Sequence, residues 1–254
     1  MARSLKNNLS FAVLIILLTA FFCSDSYSLT KSELQDRIIS SLEKLYPASK
    51  IRAKVLSKSK SFTGSSASLS KLSIRMDNMR LGNIQSDFFT VILDDVKIDL
   101  NQITSKNRLK IKSYKSIKLR IGVSTTKMKE SFRNKMHSMG KSGIEADFKY
   151  SPPYIECFYK VPESQLGEDT KAMLVKYIAG SNLEGYIAFR INAKKNNIYA
   201  HPEKVILNHF LLPGTLVGSF ESIYNPFETL SVIRPFKYQI DKAEVQDKFI
   251  IFTN

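Results

Sequence analysis

The sequence predicts an α+β fold in which antiparallel strands pack against one or two helices. Apolar and polar residues alternate with period two through much of 51–123 and again through much of 144–254. This alternation is typical of half-buried antiparallel strands with one face in water. Two stretches that begin near residues 30 and 125 instead repeat apolar residues every three or four positions, which is helical spacing.

The first 28 residues have the composition of a secretory signal peptide. Arg3 and Lys6 precede an uncharged, mostly apolar stretch over 9–22, which is shorter than the ~20 residues that span a bilayer. Cleavage is expected after Ser28, with Ser26 as the alternative position. The sequence therefore predicts a periplasmic or secreted protein.

Two other interpretations of this segment stay open. It could remain uncleaved as a membrane anchor, or it could be lipidated at Cys23, although bulky residues precede that cysteine. After cleavage, 29–254 is expected to form a single domain, with two pseudo-repeated halves that would meet near 124–143. Cys157 would then be the one remaining cysteine, so no intrachain disulfide could form. We expect it to be a small buried apolar residue.

The first helix is predicted by its start signal and its apolar stripe. Thr30 and Glu33 have the spacing of a capping box, in which two side chains satisfy free backbone N–H groups. Pro47 is expected to end the helix. The stripe at steps of four, four and three consists of Leu34, Ile38, Leu42 and Leu45.

The strands of the first half are predicted from alternation. Phe89, Val91 and Leu93 share one parity, whereas the apolar residues from Val96 onward have the other, so a bulge or turn is expected at Asp94-Asp95. Residues 57–70 are rich in Ser and Lys and are expected to be a linker. The other alternating runs are centred on Ala53, Ile74, Ile111 and Leu119.

A second helix is predicted over 125–137, where Ser124 could cap it. Its apolar residues Met128, Phe132 and Met136 recur every four positions. Strands are then expected at 144–150, 154–161, 183–192, 197–207 and, as a hairpin, 237–252. Residues 171–178 are ambiguous between helix and strand, and a short helix is expected between Pro213 and Tyr224.

The charge of the chain is strongly positive and unevenly distributed. The formal net charge is +15, and residues 101–150 alone hold 13 basic and 3 acidic side chains. Period two places Lys110, Lys112, Lys118 and Arg120 on one face of the predicted sheet, opposite the aliphatic face. We expect this face to meet anionic headgroups at a membrane surface. The alternative is a solvated basic face that only confers solubility. Export argues against nucleic acid as a partner of this positive charge.

Two stretches of the sequence carry a recognisable order of elements and motifs. Within Leu72–Met136, a strand is followed by a Leu81-Gly82 turn, a strand that carries Val96-Lys97-Ile98-Asp99-Leu100, a further strand and a short helix. Near the end of the chain stand Tyr224-Asn225-Pro226-Phe227 and Arg234-Pro235-Phe236. This order and this ending resemble those of bacterial phospholipid-binding proteins of the LmeA family. The resemblance covers about 30–254.

The resemblance implies a tubular lipid-binding fold, in which a strongly curved antiparallel sheet wraps around one or two helices and leaves an apolar groove for acyl chains. Core packing is the alternative for every groove candidate, and it is favoured for Phe210–Leu212 and for the Met128 stripe. The groove candidates are Ile117, Leu119, Ile121, Met128, Phe132, Phe210, Leu211 and Leu212.

The sequence carries no recognisable catalytic or metal-binding motif. It contains no Gly-x-Ser-x-Gly nucleophile elbow and no phosphate-binding loop. His137, His201 and His209 lack metal-ligand spacing. No catalytic residue, metal or cofactor is expected. The sequence thus predicts a non-enzymatic phospholipid-binding or lipid-transport protein, with a protein partner unspecified. The alternative is an envelope module that binds a protein or acidic polymer through its basic face.

Overall fold

The computed structural model of the protein describes residues 28–141, 143–166, 182–214 and 233–254. Within these ranges the fold is α+β, with antiparallel strands and few helices, as predicted. The helices are α1 (Lys31–Leu45), α2 (Leu100–Ser105) and α3 (Thr125–Ser138), with a 3₁₀ turn at Glu163–Gln165. The strands are β1 (Leu29–Thr30), β2 (Lys50–Leu56), β3 (Ser61–Phe62), β4 (Ser66–Asp77), β5 (Arg80–Leu81), β6 (Ile84–Gln85), β7 (Phe88–Asp99), β8 (Ile111–Ser113), β9 (Ser116–Val123), β10 (Glu145–Ser151), β11 (Tyr154–Val161), β12 (Leu183–Lys194), β13 (Asn197–Leu207), β14 (Phe210–Leu211), β15 (Lys242–Val245) and β16 (Ile250–Thr253).

The described strands form two main antiparallel sheets. The first sheet has the order β15-β16-β9-β7-β4-β2, with β8 also paired to β7, and the second sheet has the order β10-β11-β12-β13-β14. The C-terminal hairpin thus returns to the first sheet, where Phe252 pairs with Ile121. Two small ladders, β1-β3 and β5-β6, complete the pairing.

Helix α1 begins with the predicted capping box. The Thr30 hydroxyl accepts a hydrogen bond from the Glu33 N–H at 3.2 Å, and the Glu33 carboxylate accepts one from the Thr30 N–H at 2.7 Å. These two bonds satisfy donors that a helix start otherwise leaves unpaired. Leu34, Ile38 and Leu42 are fully buried. Leu45, by contrast, is 51% exposed, so the predicted stripe ends one turn early.

One face of the first sheet is apolar across its paired strands. Val91 lies opposite Ile74 on one side and Leu119 on the other, and α1 contributes to the same buried cluster. Between Leu93 and Val96 the phase of the strand changes, and Asp95 has a φ of +48°. The irregularity predicted at Asp94-Asp95 is therefore confirmed.

Two sequence predictions about the strands need correction. The expected linker over 57–70 contains β3 and the beginning of β4, and Phe62, Ala67 and Leu69 are buried. Its many polar residues occupy the wet face of these strands, which hid the alternation. Residues 236–240, expected to be the first arm of the last hairpin, form no ladder, although Phe236 and Ile240 are buried. The helix expected after Pro213 and the ambiguous segment 171–178 lie outside the described residues.

Candidate functional site

A cavity of about 330 Å³ lies between helix α3 and one face of the second sheet. The helix and the residues after it contribute Met128, Phe132, Met136 and Met139 to its wall. Most of the opposite wall comes from β11 and β12. The cavity is therefore a space between a helix and a sheet, at the lower end of the size range of small-molecule sites, roughly 300–1,000 Å³.

Helix α3 is fixed in position at both its start and its middle. The Ser124 hydroxyl caps it by accepting a hydrogen bond from the Lys127 N–H, while the Asp87 carboxylate accepts bonds from both the N–H and the hydroxyl of Ser124. One turn further on, the buried Ser131 hydroxyl accepts a hydrogen bond from the Gln85 N–H at 3.2 Å. The four-residue spacing then directs Met128, Phe132 and Met136 to the cavity.

The sheet wall of the cavity is set by the register of two strands. Ile155 lies opposite Phe189, Cys157 opposite Ile187, and Val161 opposite Leu183. Alternate residues point to the same face of a sheet, so these pairs form successive levels along one wall. The seven residues from Ile155 to Val161 span about 20 Å of strand. The cavity is therefore elongated along β11 and β12.

The two ends of the cavity differ in exposure. Met128, Ile155 and Ile191 are at most 5% exposed and belong to the buried cluster that includes the first sheet. At the other end, Met139 is 51% exposed, and the neighbouring Lys141 is also exposed. The cavity thus has a closed end against the main core and a rim that reaches solvent.

The polar groups in the wall are mostly neutral. Burial raises the pKa of the Cys157 thiol to about 12 and the pKa of the Tyr159 phenol to about 12, because it disfavours the charged forms. Both groups are therefore uncharged near neutral pH, and the expectation of a buried Cys157 is confirmed. Among the described wall residues, Lys141 at the rim alone carries a charged side chain.

The structure places two of the groove candidates at this cavity and the others elsewhere. Met128 and Phe132 line it. Leu119 and Ile121 do not: they are buried in the first sheet, opposite Val91 and Phe89. That face is already covered, because Phe236 packs on Phe89 with ring centroids 6.0 Å apart and α1 joins the same cluster.

Ile117 and the 210–212 segment also lie away from the cavity. Ile117 borders a separate shallow depression beside Lys237 and Tyr238. Phe210 and Leu211 are 59% and 64% exposed on the edge strand β14, whereas Leu212 packs beside Ile187 and Val205. The preference for core packing is therefore wrong for Phe210 and Leu211.

The structure brings Lys118 and Arg120 together with basic residues that the sequence reasoning did not combine with them. Arg52 lies opposite Arg75, Arg75 opposite Thr90, and Thr90 opposite Arg120. The next row of paired residues runs across the same four strands. It consists of Lys54, Ser73, Ile92 and Lys118. We call Arg52, Lys54, Arg75, Lys118 and Arg120 the basic face. The alternation at 51–55 and 72–77 could have identified these residues once the strand order was known.

One carboxylate offsets part of the charge of the basic face. Asp77 accepts hydrogen bonds from Arg52 at 2.5 Å and Arg75 at 2.8 Å. Partial burial opposes its ionisation, but the hydrogen bond from Arg75 and the charges of Arg75 and Arg52 hold the pKa of Asp77 below its usual value. Away from the basic face, Lys112 lies 3.7 Å from Asp99 and donates to the Ser65 carbonyl, while Lys110 is exposed just before β8.

An aromatic ring lies beneath the arginines of the basic face. The guanidinium carbons of Arg75 and Arg120 lie 5.0 and 5.7 Å from the centroid of the Phe88 ring, within the range of cation–π attraction. Phe88 occupies space over Gly122, its partner on β9, where a Cβ atom would overlap the ring. The attraction between the Phe88 ring and the two guanidinium groups orients Arg75 and Arg120 on the surface.

The described residues contain no cluster of three His, Cys, Asp or Glu side chains suited to a metal ion. None of the described helices combines the length and apolar composition required to cross a bilayer. Comparison with protein-family models, with curated proteins and with solved structures gives no match to this chain.

Proposed function

We propose that the protein is an exported, non-enzymatic lipid-binding or lipid-transport protein that holds hydrocarbon in the cavity between α3 and the second sheet. The observation that supports this most strongly is the wall itself, because one charged side chain, at the rim, accompanies otherwise apolar or neutral groups among the described wall residues. Each methylene group moved from water into such a space contributes about 0.8 kcal/mol.

The basic face supplies a second contact, with an anionic phospholipid surface. Each base near an anionic bilayer contributes about 1 kcal/mol, and the attraction falls off within a Debye length. Asp77 offsets part of the charge of Arg52 and Arg75, so the net attraction is smaller than five bases would give. Such binding is reversible, which suits a protein that loads or releases lipid at a membrane.

The resemblance to the LmeA family and the signal-peptide pattern agree with this proposal. In a tubular lipid-binding fold, a curved sheet and a helix enclose the acyl chains. Here the second sheet and α3 would play those parts, with Met128 and Phe132 against the chain. Helix α1 and the first sheet would form the packed half.

One observation favours the alternative of an envelope interaction module. Leu119 and Ile121 lie in a filled core, while the basic face on the opposite side of that sheet is exposed to potential acidic partners. A protein or an acidic polymer bound there would need no cavity. The two functions therefore differ in whether the cavity contributes to binding.

Native mass spectrometry of gently purified protein distinguishes the two functions. We expect copurified lipid, and we expect the protein to float with phosphatidylglycerol vesicles but not with phosphatidylcholine vesicles. Ile187→Trp, which fills the cavity, should remove the lipid, whereas Leu211→Trp, at an exposed position outside the cavity, should retain it. The proposed function would be refuted if the purified protein carried no lipid and also failed to bind anionic vesicles.

A further inference from the structure

We infer that the cavity takes a single hydrocarbon chain, inserted tail first, with an anionic head beside Lys141. The inference rests on the proposed function and specifies its ligand. Three observations carry it: the size of the cavity, the different exposure of its two ends, and the position of its one described charge.

The size of the cavity limits how many chains it accepts. Its volume is about 330 Å³. This volume lies at the lower end of the range of small-molecule sites, roughly 300–1,000 Å³. Such a space favours one narrow hydrocarbon chain over two. A second chain would stay in water and lose about 0.8 kcal/mol for each methylene group left exposed.

The exposure of the two ends sets the direction of insertion. Met128, Ile155 and Ile191 close the inner end against the main core, where a charged group would lose its hydration without a partner. The rim, at Met139 and Lys141, reaches solvent. The methyl end of the chain is therefore placed inside and the polar end at the rim.

The charge at the rim determines the class of head group. The Lys141 ammonium donates hydrogen bonds and carries a positive charge, whereas Cys157 and Tyr159 are held neutral further inside. A carboxylate or a phosphate at the rim would pair with Lys141. The ligand class is therefore a single-chain anionic amphiphile, which could be a free fatty acid or a lysophospholipid.

Binding of three probes to the full chain, followed by native mass spectrometry, tests the number of chains. The probes are myristic acid, lysomyristoyl phosphatidylglycerol and dimyristoyl phosphatidylglycerol. We expect one molecule of either single-chain probe per protein, with at least tenfold tighter binding than the diacyl probe. Preference between the two single-chain probes identifies the source of the anion.

Two outcomes separate this inference from the proposed function. If the diacyl lipid binds as tightly as the single-chain probes or more tightly, and Ile187→Trp abolishes that binding, the single-chain inference is wrong and the proposed function stands. If none of the three probes binds, both are wrong.

Lys141→Gln tests the head group separately from folding. The variant should weaken myristate binding roughly two- to fivefold, as expected for an exposed ion pair, and leave methyl myristate unaffected. Lys135 is another basic residue of α3, but it lies outside the cavity wall. Lys135→Gln should change the binding of neither myristate nor methyl myristate. Equal binding of myristate to wild type and Lys141→Gln would overturn the assignment of Lys141.

The direction of insertion has its own readout. A myristic acid that carries a photoreactive diazirine at its methyl end should crosslink to the inner residues Met128, Ile155 or Ile191. Crosslinks confined to Met139 and Ile144, near the rim, would show the reverse orientation and overturn the inference.

Discussion

The phenol ring of Tyr159 lies over Gly185, its partner across strands β11 and β12, in the space that a Cβ atom would occupy. Tyr159 also lines the cavity, so the glycine keeps the ring against the sheet. Gly185→Ala should turn the ring into the cavity. We expect several-fold weaker myristate binding and a loss of about 1–3 kcal/mol in the free energy of unfolding, as for overpacked sites.

Gly214→Ala is the matched control for this substitution. A Cβ atom at Gly214 would meet no atom of the described residues within 4 Å, so both binding and the free energy of unfolding should stay at wild-type values. Titration calorimetry and urea unfolding measure the two quantities. Unchanged binding by Gly185→Ala would contradict the position assigned to Tyr159.

The reactivity of Cys157 reports on the closure of the cavity. Burial raises its pKa to about 12, so at pH 8 the thiolate fraction is about 10⁻⁴, compared with roughly a quarter for a free thiol of pKa about 8.5. In a Cys23→Ser background, we expect labelling by a maleimide to be roughly a thousandfold slower than in urea. Bound myristate should slow it further.

Labelling that is fast in the folded protein, or unaffected by myristate, would contradict this account.

The raised pKa of Cys157 also has a consequence for stability. Because the folded-state pKa lies above the unfolded value, the contribution of Cys157 is present below pH 8.5 and is lost as the pH rises towards 12. Between pH 8.5 and 12, the free energy of unfolding of Cys157→Ala should therefore fall less steeply with pH than that of the wild type.

The basic face should determine membrane attachment. Replacing both Lys118 and Arg120 by Gln removes about 2 kcal/mol of attraction to an anionic bilayer, at about 1 kcal/mol per base, and should weaken vesicle binding by roughly thirtyfold. Added salt should weaken wild-type binding in the same direction. Flotation with phosphatidylglycerol vesicles measures both effects.

The control for this variant removes two bases elsewhere. Lys194 and Lys195, exposed at the turn between β12 and β13, lie outside the basic face, and their replacement by Gln should leave vesicle binding nearly unchanged. Equal losses in the two double variants would show that net charge, and not the arrangement of the basic face, governs attachment.

The capping box of α1 should contribute to stability without affecting the cavity. Thr30→Ala removes the hydrogen bond to the Glu33 N–H and should cost about 1 kcal/mol, which lowers Tm by roughly 2–4 °C for a chain of this size. Thr30→Ser retains the hydroxyl and should stay near wild type. A Thr30→Ala variant with wild-type Tm would show that α1 is held by packing alone.

Local signals allowed much of the fold to be predicted. The spacing of Thr30 and Glu33, and the cap at Ser124, located the two longer helices, since both depend on neighbours a few residues away. Period two located most strands, including β11 and β13 at their observed bounds. The polar run over 57–70 was wrongly predicted to be a linker, because its buried residues, such as Phe62 and Leu69, are separated by many Ser and Lys.

The site was only partly predictable, because the covering of each apolar face depends on distant parts of the chain. Alternation shows that Leu119 and Ile121 face an apolar side, but it does not show that Phe236 covers that side from more than a hundred residues away. Met128 and Phe132, on a helix, were equally apolar in sequence, yet they face a cavity. Which helix leaves space beneath it is a property of tertiary packing.

Crystallographic localisation of a brominated fatty acid measures the central claim most directly. With a single bromine near the methyl end of the chain, the account predicts one anomalous peak inside the cavity, among Met128, Ile155 and Ile191. A bound bromine located anywhere else on the protein, with the cavity unoccupied in the same crystals, would contradict the claim that this cavity binds hydrocarbon.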